Sequence, residues 1–274
     1  MRYWLVLFAA LCWLSPLQAA PLTVTILLEF SEQNAAAYAQ QMLHWRLLQR
    51  HAGEALDVRF EHVSLQRSFS QVQQSGYCAI NKMKTLEREA RLLFSEKPLN
   101  VSPSIRLIRS GAATLEPGID VAAWLDDAPK RQIGVAAGRS YGKALDAVIQ
   151  SHAKQVYTVA GEDVNLKLWQ MLQKGRVDAV LDYVVRIEYL RWLQQDQTPY
   201  HATAILGQPL ILEGFIVCNR SAHGQQLMQY FDQLMATPAL QQALYQSYQQ
   251  YFSVAEWQQA RPYFQKTFPA AVLQ

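Results

Sequence analysis

From residue 22 onward the chain alternates short apolar runs with longer amphipathic stretches, and that rhythm restricts the fold more than any single motif does. LTVTILLEF (22–30) reads as a strand. Residues 34–51 read as a helix, with Ala35, Tyr38, Ala39, Met42, Trp45 and Leu48 near a 3.6-residue period, and 55–63 read as a second strand. Residues 68–75 follow as a polar helix, 76–80 as a buried strand, a short helix opens at 85, and 104–108 is strand-like again. A βαβαβαβ series of this kind builds a mostly parallel sheet with helices on its faces.

A Gly-, Pro- and small-residue-rich stretch over 110–120 interrupts the series, and a second one then starts. Strands are expected over 132–137, 155–159 and 176–182, alternating with helices over 141–152, 164–174 and 184–194. After Gly207-Gln208-Pro209 comes a strand over 214–219, then helices only, over 225–236, 238–251 and 254–264. The organisation predicted is two α/β lobes with a helical C-terminal tail and a cleft between them. Residues 20–108 and 213–274 are assigned to the first lobe and 109–212 to the second.

The first nineteen residues have one basic residue, an apolar run from Tyr3 to Leu14 and a small-residue finish, the layout of a cleaved signal peptide. The run is too short to span a bilayer. The remaining 255 of 274 residues are expected to be exported to the periplasm and soluble. Half the chain is hydrophobic and 17% is charged, enough apolar material for a large core. Without Arg2 the basic and acidic residues number 24 and 22, and the basic ones are scattered among acids. No nucleic-acid partner is expected. Cys78 and Cys218 remain in a compartment that permits disulfides, and both pairing and two buried thiols stay open.

TLEREARLLFSEKPL (85–99) carries the first candidate site residue. Thr85 is a suitable N-cap, and Leu86, Ala90, Leu93 and Phe94 fall at i, i+4, i+7 and i+8, one buried stripe. Arg88 lies about 200° around the helix from Leu86, away from the stripe. A cation in a first helical turn opposes the helix dipole unless an anion is near. Glu87 or Glu89 would serve as an ordinary surface partner. The alternative is a ligand, because the helix start after a strand's carboxyl end faces the crevice of such a sheet. In the second lobe, Gly138-Arg139-Ser140-Tyr141-Gly142 joins a strand to a helix, and its first-turn amides form a place for a carboxylate or phosphate. Arg88 and this turn gripping one anion is the favoured reading. Asp182 and Tyr183 end a strand, so one of them should reach the crevice while the other points to the opposite face.

Taken together, TLEREARLLFSEKPL followed by SIRLI, IGVAAGRSYG, LQKGRVDAVLDY and GFIVCNRSAHG with a helical tail resembles the extracellular solute-binding proteins of family 3, which have the type II periplasmic binding fold. The strand at Cys78 running into KTLERE is similar to a poorly characterised branch of solute-binding-like proteins. The resemblance implies that Arg88 holds a ligand carboxylate, that Ser140 with Tyr141 assists from the second lobe, that Glu29 adds a polar contact, and that a carboxylate near Asp182 or Tyr183 holds an ammonium. The position expected for that carboxylate is Tyr183, and Asp182 stands one residue early. Asn81, Lys82 and Met83 replace the small hydroxyl residues that usually precede the T-x-x-R segment. The implied protein is a monomer that closes on a small anionic or zwitterionic solute, amino-acid-like, and presents it to an inner-membrane ABC permease or a receptor.

Other classes have less support. The six histidines are dispersed and no HExxH or C-x-x-C is present, so neither metal nor cofactor is expected. No G-x-S-x-G elbow occurs. Glu29 and Asp182 as an acid and base pair of a dehydratase-type cleft enzyme, and a sensory or interaction module without a transport role, are the alternatives.

Overall fold

A computed structural model describes residues 20–111 and 118–272. The signal peptide expected over 1–19, and residues 112–117 of the expected break, lie outside the described residues.

Parallel pairing needs crossover connections, and the first lobe supplies two of them. β1 (Leu22–Leu28) pairs in parallel with β2 (Leu56–His62) on one side and β3 (Tyr77–Lys82) on the other. The first crossover is not the single α-helix expected over 34–51. Glu32–Met42 is a 3-10 helix, and α1 (Leu43–Ala52) follows it. α1 buries His44, Trp45, Leu48 and Ala52, a 3.6-residue stripe whose aromatic rings meet Phe231, Tyr248 and Tyr251 of the C-terminal tail. α2 (Leu65–Gln71) makes the second crossover and starts earlier than expected, because the Ser64 hydroxyl accepts from Arg67 N at 3.2 Å and caps it.

α3 (Leu86–Arg91) is shorter than its pattern predicts, and the expected stripe does not form. Leu86 is 89% exposed, Ala90 is exposed, and the chain leaves the helix at the buried Leu92. Leu93–Phe94 becomes a short strand, β4, on the first sheet. Sheet pairing there wins over two more helical residues. β5 (Asn100–Pro103) is a further strand of this lobe that periodicity did not reveal.

The chain crosses at Ser104 and Ile105, ahead of the boundary expected at 108/109, since β6 (Arg106–Ser110) lies wholly in the second sheet. There α4 (Val121–Asp126), β7 (Ile133–Ala136), α5 (Lys143–Ser151), β8 (Val156–Val159), α6 (Val164–Gln173), β9 (Ala179–Asp182), α7 (Val184–Gln194) and β10 (Tyr200–Ala204) follow. The strand order is β10-β6-β9-β7-β8, with β7, β8 and β9 parallel, β6 antiparallel to β9, and β10 antiparallel to β6. The chain then returns through β11 (Ile211–Cys218) to the first sheet, whose order is β2-β1-β3-β11-β4, with β5 also on β11. Each sheet therefore has a parallel centre, and the strands that carry the chain between lobes run antiparallel to it.

The tail packs on the first lobe as α8 (Ala222–Met235), α9 (Pro238–Gln249), α10 (Val254–Thr267) and α11 (Pro269–Val272). Tyr248, Phe264 and Phe268 are buried among one another, and the Tyr248 hydroxyl donates to Leu99 O at 2.9 Å. A Ser253–Glu256 capping box starts α10. Cys78 and Cys218 face each other across β3 and β11 and form a disulfide that closes a sequence separation of 140.

Candidate functional site

Strand ends and helix starts from both lobes meet around a cavity of about 110 Å³, room for a small solute. Arg88 stands at its first-lobe wall. Thr85 caps α3 by accepting from Arg88 N at 3.3 Å, which orients the first turn. The Arg88 guanidinium lies 4.1 Å from the centroid of the Phe69 ring and donates to Met83 O at 3.1 Å and, across the lobes, to Gly138 O at 3.4 Å. Neither Glu87 nor Glu89 pairs with it; Glu87 faces Arg91. Carbonyls and an aromatic face touch Arg88, and it forms no ion pair among the described residues; burial lowers its pKa, and the more distant Glu29, Asp146 and Glu87 carboxylates oppose that shift.

Glu29 and Lys82 end the neighbouring strands β1 and β3 and form an ion pair. The Lys82 side chain is 4% exposed and that of Glu29 27%. Burial lowers the Lys82 pKa, and the Glu29 carboxylate opposes that shift. The end of β3 is bent: Asn81 sits at φ 59°, the pairing with β11 shifts between Phe215 and Val217, and a Cβ on Gly214 would stand 3.0 Å from Asn81 Cα. Irregularities of this kind re-aim a strand's side chains, and Lys82 lines the cleft.

The second-lobe turn differs from its expected role. Ser140 lines the cleft, but its hydroxyl donates to Asp146 Oδ2 at 2.7 Å. Asp146 Oδ1 accepts from Tyr141 N at 2.7 Å, and Ser140 Oγ accepts from Gly142 N at 3.3 Å. The amides of Tyr141 and Gly142 are thus satisfied by the chain's own Asp146 and Ser140. Tyr141 lies in the second-lobe core, where its hydroxyl accepts from Ala136 N at 2.7 Å, and it does not line the cleft.

Of the two residues at the end of β9, Tyr183 lines the cleft and Asp182 is wholly buried. Asp182 Oδ1 accepts from Tyr183 N at 2.8 Å, pairs with Arg186 one helical turn on, and lies 3.7 Å from Arg139 Nη1. Two guanidiniums therefore neutralise the acid that would serve an ammonium, and both of those arginines line the cleft. Burial raises the Tyr183 pKa, so its phenol stays a neutral donor.

The lobes touch beyond the cavity as well. Asp163, at the start of α6, accepts from Ser31 N at 3.0 Å, Ser31 Oγ at 2.7 Å and Asn34 Nδ2 at 2.8 Å. The Tyr189 hydroxyl of α7 donates to Ala36 O at 2.8 Å. Two lobes joined by crossing strands, closed over a cleft lined by strand ends from both, identify the architecture.

The chain has the type II periplasmic-binding-protein fold. A structure from a study of glutathione import via GshT and the cystine importer TcyBC of Streptococcus mutans is similar to it with a TM-score of 0.63 and 13% identity, covering 84% of this chain and 95% of that one. The VFT2 domain of Bordetella pertussis BvgS, in a double mutant, is similar with a TM-score of 0.59 and 16% identity over 85% and 94% of the two chains. The GluR0 ligand-binding core from Nostoc punctiforme in complex with L-glutamate gives 0.57 and 15% over 85% and 99%. No family model matches the chain, and no curated protein matches it. At such identities the likeness concerns the fold.

Sequence reasoning missed Phe69, Arg139 and Arg186 as cleft residues and treated Lys82 only as a departure from a pattern. Arg139 stood inside the quoted turn and Arg186 four residues after Asp182, an i, i+4 spacing that signals an ion pair on a helix start. Ser31, Asn34 and Asp163 had no local signal, because their relationship exists only when the lobes meet. Among the described residues no His, Cys, Asp and Glu cluster is arranged to hold a metal, and no helix is long and apolar enough to cross a membrane.

Proposed function

We propose that this is an exported solute-binding protein whose lobes close on a small anionic or zwitterionic solute and which presents the closed form to a membrane transporter. The observation that carries the reading is the composition of the cleft: Lys82 and Arg88 from the first lobe and Arg139 and Arg186 from the second line one cavity. Arg88 is the carboxylate contact in this reading, with Tyr183 offering a hydroxyl and Ser140 a polar edge. Glu29 acts by holding Lys82. A cleft enzyme of the dehydratase type is disfavoured, since Glu29 and Asp182 are each committed to cations and Asp182 does not line the cavity.

A thermal-shift screen of the mature protein against amino acids, organic acids and polyamines tests the reading. A solute at 100 times its Kd adds about 2.7 kcal/mol of stability. Stabilisation by polyamines and by no acid would reverse the proposed charge of the ligand. Transport and sensing share this cleft and differ in the partner that reads it. Loss of uptake of the identified solute in a strain lacking the protein supports transport; intact uptake supports the sensory alternative.

A further inference from the structure

Six charged residues line the cleft, and most of them are paired within the protein. Lys82 is held by Glu29, and Arg139 and Arg186 flank Asp182, which is buried and does not line the cavity. Of the charged residues that do line it, Arg88 and Glu213 alone form no ion pair with a described residue. The carboxylates that act on Arg88 from further away are each engaged. Glu29 holds Lys82, Asp146 accepts from the Ser140 hydroxyl and the Tyr141 amide, and Glu87 faces Arg91. One cation and one carboxylate therefore face the same cavity, each without a counter-ion.

Glu213 comes from β11, the strand that returns the chain to the first lobe. It lies opposite Val101 of β5, between Leu212 and Gly214, which also line the cleft. Gly214 packs against Asn81 and Phe215 pairs with Lys82, so β11 passes beside the end of β3. The Tyr263 hydroxyl of α10 donates to Glu213 Oε1 at 2.6 Å. Burial, and then the Glu213 carboxylate, raise the Tyr263 pKa, so the phenol stays a neutral donor. It fixes one oxygen of the carboxylate without cancelling its charge, and Oε2 accepts from no described residue. On the side of the cations, Gln41 Nε2 and Arg186 Nε are buried donors without hydrogen-bond partners, on residues that line the cleft. A buried donor needs an acceptor and a desolvated carboxylate needs a cation, so the cavity calls for a solute that carries both charges.

We infer that Glu213 holds a positively charged group of the solute and that the cleft selects a zwitterion, its carboxylate on Arg88 and its ammonium on Glu213. This inference rests on the proposed solute-binding function and specifies its ligand. It moves the ammonium from the end of β9, where Asp182 is taken by two guanidiniums, to the strand that crosses between the lobes. A solute with a hydroxyl in place of the ammonium would leave Glu213 without a counter-charge, and selectivity follows from that loss.

Calorimetric titration of the mature protein with matched pairs tests it: L-alanine against L-lactate, L-aspartate against L-malate, and L-glutamate against L-2-hydroxyglutarate. In the pair that binds tightest, the amino acid should bind ten times or more tighter than the hydroxy acid, about 1.4 kcal/mol. A hydroxy acid that binds as tightly as its amino partner overturns the inference and leaves the solute-binding reading standing. If no pair binds, the inference fails, and the solute-binding reading fails with it only if the thermal-shift screen is empty too. A second arm uses Glu213→Gln, which keeps an acceptor for Tyr263 and removes the charge. The preference for the amino acid should fall to about threefold or less in that variant, whereas Arg88→Ala should weaken both members of the pair alike. A preference unchanged in Glu213→Gln would put the ammonium on another residue, against the inference. The wild-type comparison tests the zwitterion whether or not the variant folds.

Discussion

Asp163 at the start of α6 holds Ser31, in the turn after β1, from the opposite lobe, through Ser31 N at 3.0 Å and Ser31 Oγ at 2.7 Å, and Asn34 adds a third donor at 2.8 Å. None of these groups lines the ligand cavity. The lobes are thus fastened by a contact distinct from the one a solute would make, and closure has an intrinsic component to which the solute adds its own.

Removing the fastening should shift the population toward the open form. Hydrogen bonds to a charged group contribute about 1.5–3 kcal/mol each, less where water reaches them. Asp163→Ala is expected to raise the radius of gyration measured by small-angle scattering and to weaken solute binding about tenfold, while the melting temperature of each lobe changes little. A variant with an unchanged radius would show that the cleft contacts alone hold the lobes together. The contact is also acid-sensitive. Burial would raise the Asp163 pKa, but the bonds from Ser31 and Asn34 bring it below its ordinary 3.8. Its contribution to closure is therefore complete above about 3.8 and is lost as pH falls through the depressed value.

Among the described residues Arg88 forms no ion pair, so its loss should affect binding more than folding. Arg88→Ala is expected to lower affinity for the acid identified in the screen at least tenfold, with less than about 1 kcal/mol of stability lost. Arg88→Lys should recover part of the affinity only, because an ammonium lacks the planar fork that stacks on Phe69 while bonding two carbonyls. Full affinity in the alanine variant would remove Arg88 from the site.

Cys78 and Cys218 are both without exposure, and the bond between them ties the returning strand β11 to β3. Closing a sequence separation of 140 restricts the unfolded chain, and removal of such a bond typically costs 2–5 kcal/mol. The Cys78→Ser, Cys218→Ser double variant is expected to melt well below the wild type. Alkylation of the native protein followed by mass spectrometry should label neither cysteine until reductant and denaturant are both present. Ready labelling of either without reductant would contradict the bond.

The alternation of elements was legible in the sequence because each strand and helix of the parallel centre buries its own face. α7 (Val184–Gln194) has the limits its period predicted. The failures occur where non-local pairing overrides local pattern. Leu93 and Phe94 fit a helical stripe with Leu86, yet β11 offers them a sheet edge, and the stripe dissolves. β5 and β10 are strands only because β11 and β6 lie beside them. At the site, Arg88 and the Gly138 turn were readable as strand-to-helix junctions. What could not be read was that Asp146 had already taken the Tyr141 amide and the Ser140 hydroxyl, and that Asp182 is flanked by Arg139 and Arg186, since those are outcomes of side-chain geometry.

The acid stability of the whole protein should depend on His44, which does not line the cleft but stands behind two residues that do, Asn100 and Tyr251. It lies in α1, 3% exposed, with Nε2 3.0 Å from Ser247 Oγ and its ring edge-on to Tyr248 at 4.7 Å, so it joins α1 to α9. Burial pushes its pKa down from 6.5 to about 4, and a hydrogen bond involving Asn100 offsets only part of that. The unfolded chain takes up a proton at this residue near pH 6.5 and the folded chain only near 4, so the unfolded state binds more protons between those values. Stability is complete above 6.5 and falls as pH drops toward 4, by roughly 3 kcal/mol from this one group. Asp163, Asp196 and Glu256, whose pKa values are lowered, act below that window, and His152, whose pKa is raised by the Val148 carbonyl and by Asp126, acts with the opposite sign at its upper edge. Comparing wild type with His44→Phe cancels these common contributions. The variant is expected to be less stable at pH 7.5, where the bond to Ser247 is lost, and to lose less than the wild type between pH 7 and pH 4.5 in urea unfolding. Equal losses in the two proteins over that range would mean that His44 is not the group that titrates on unfolding.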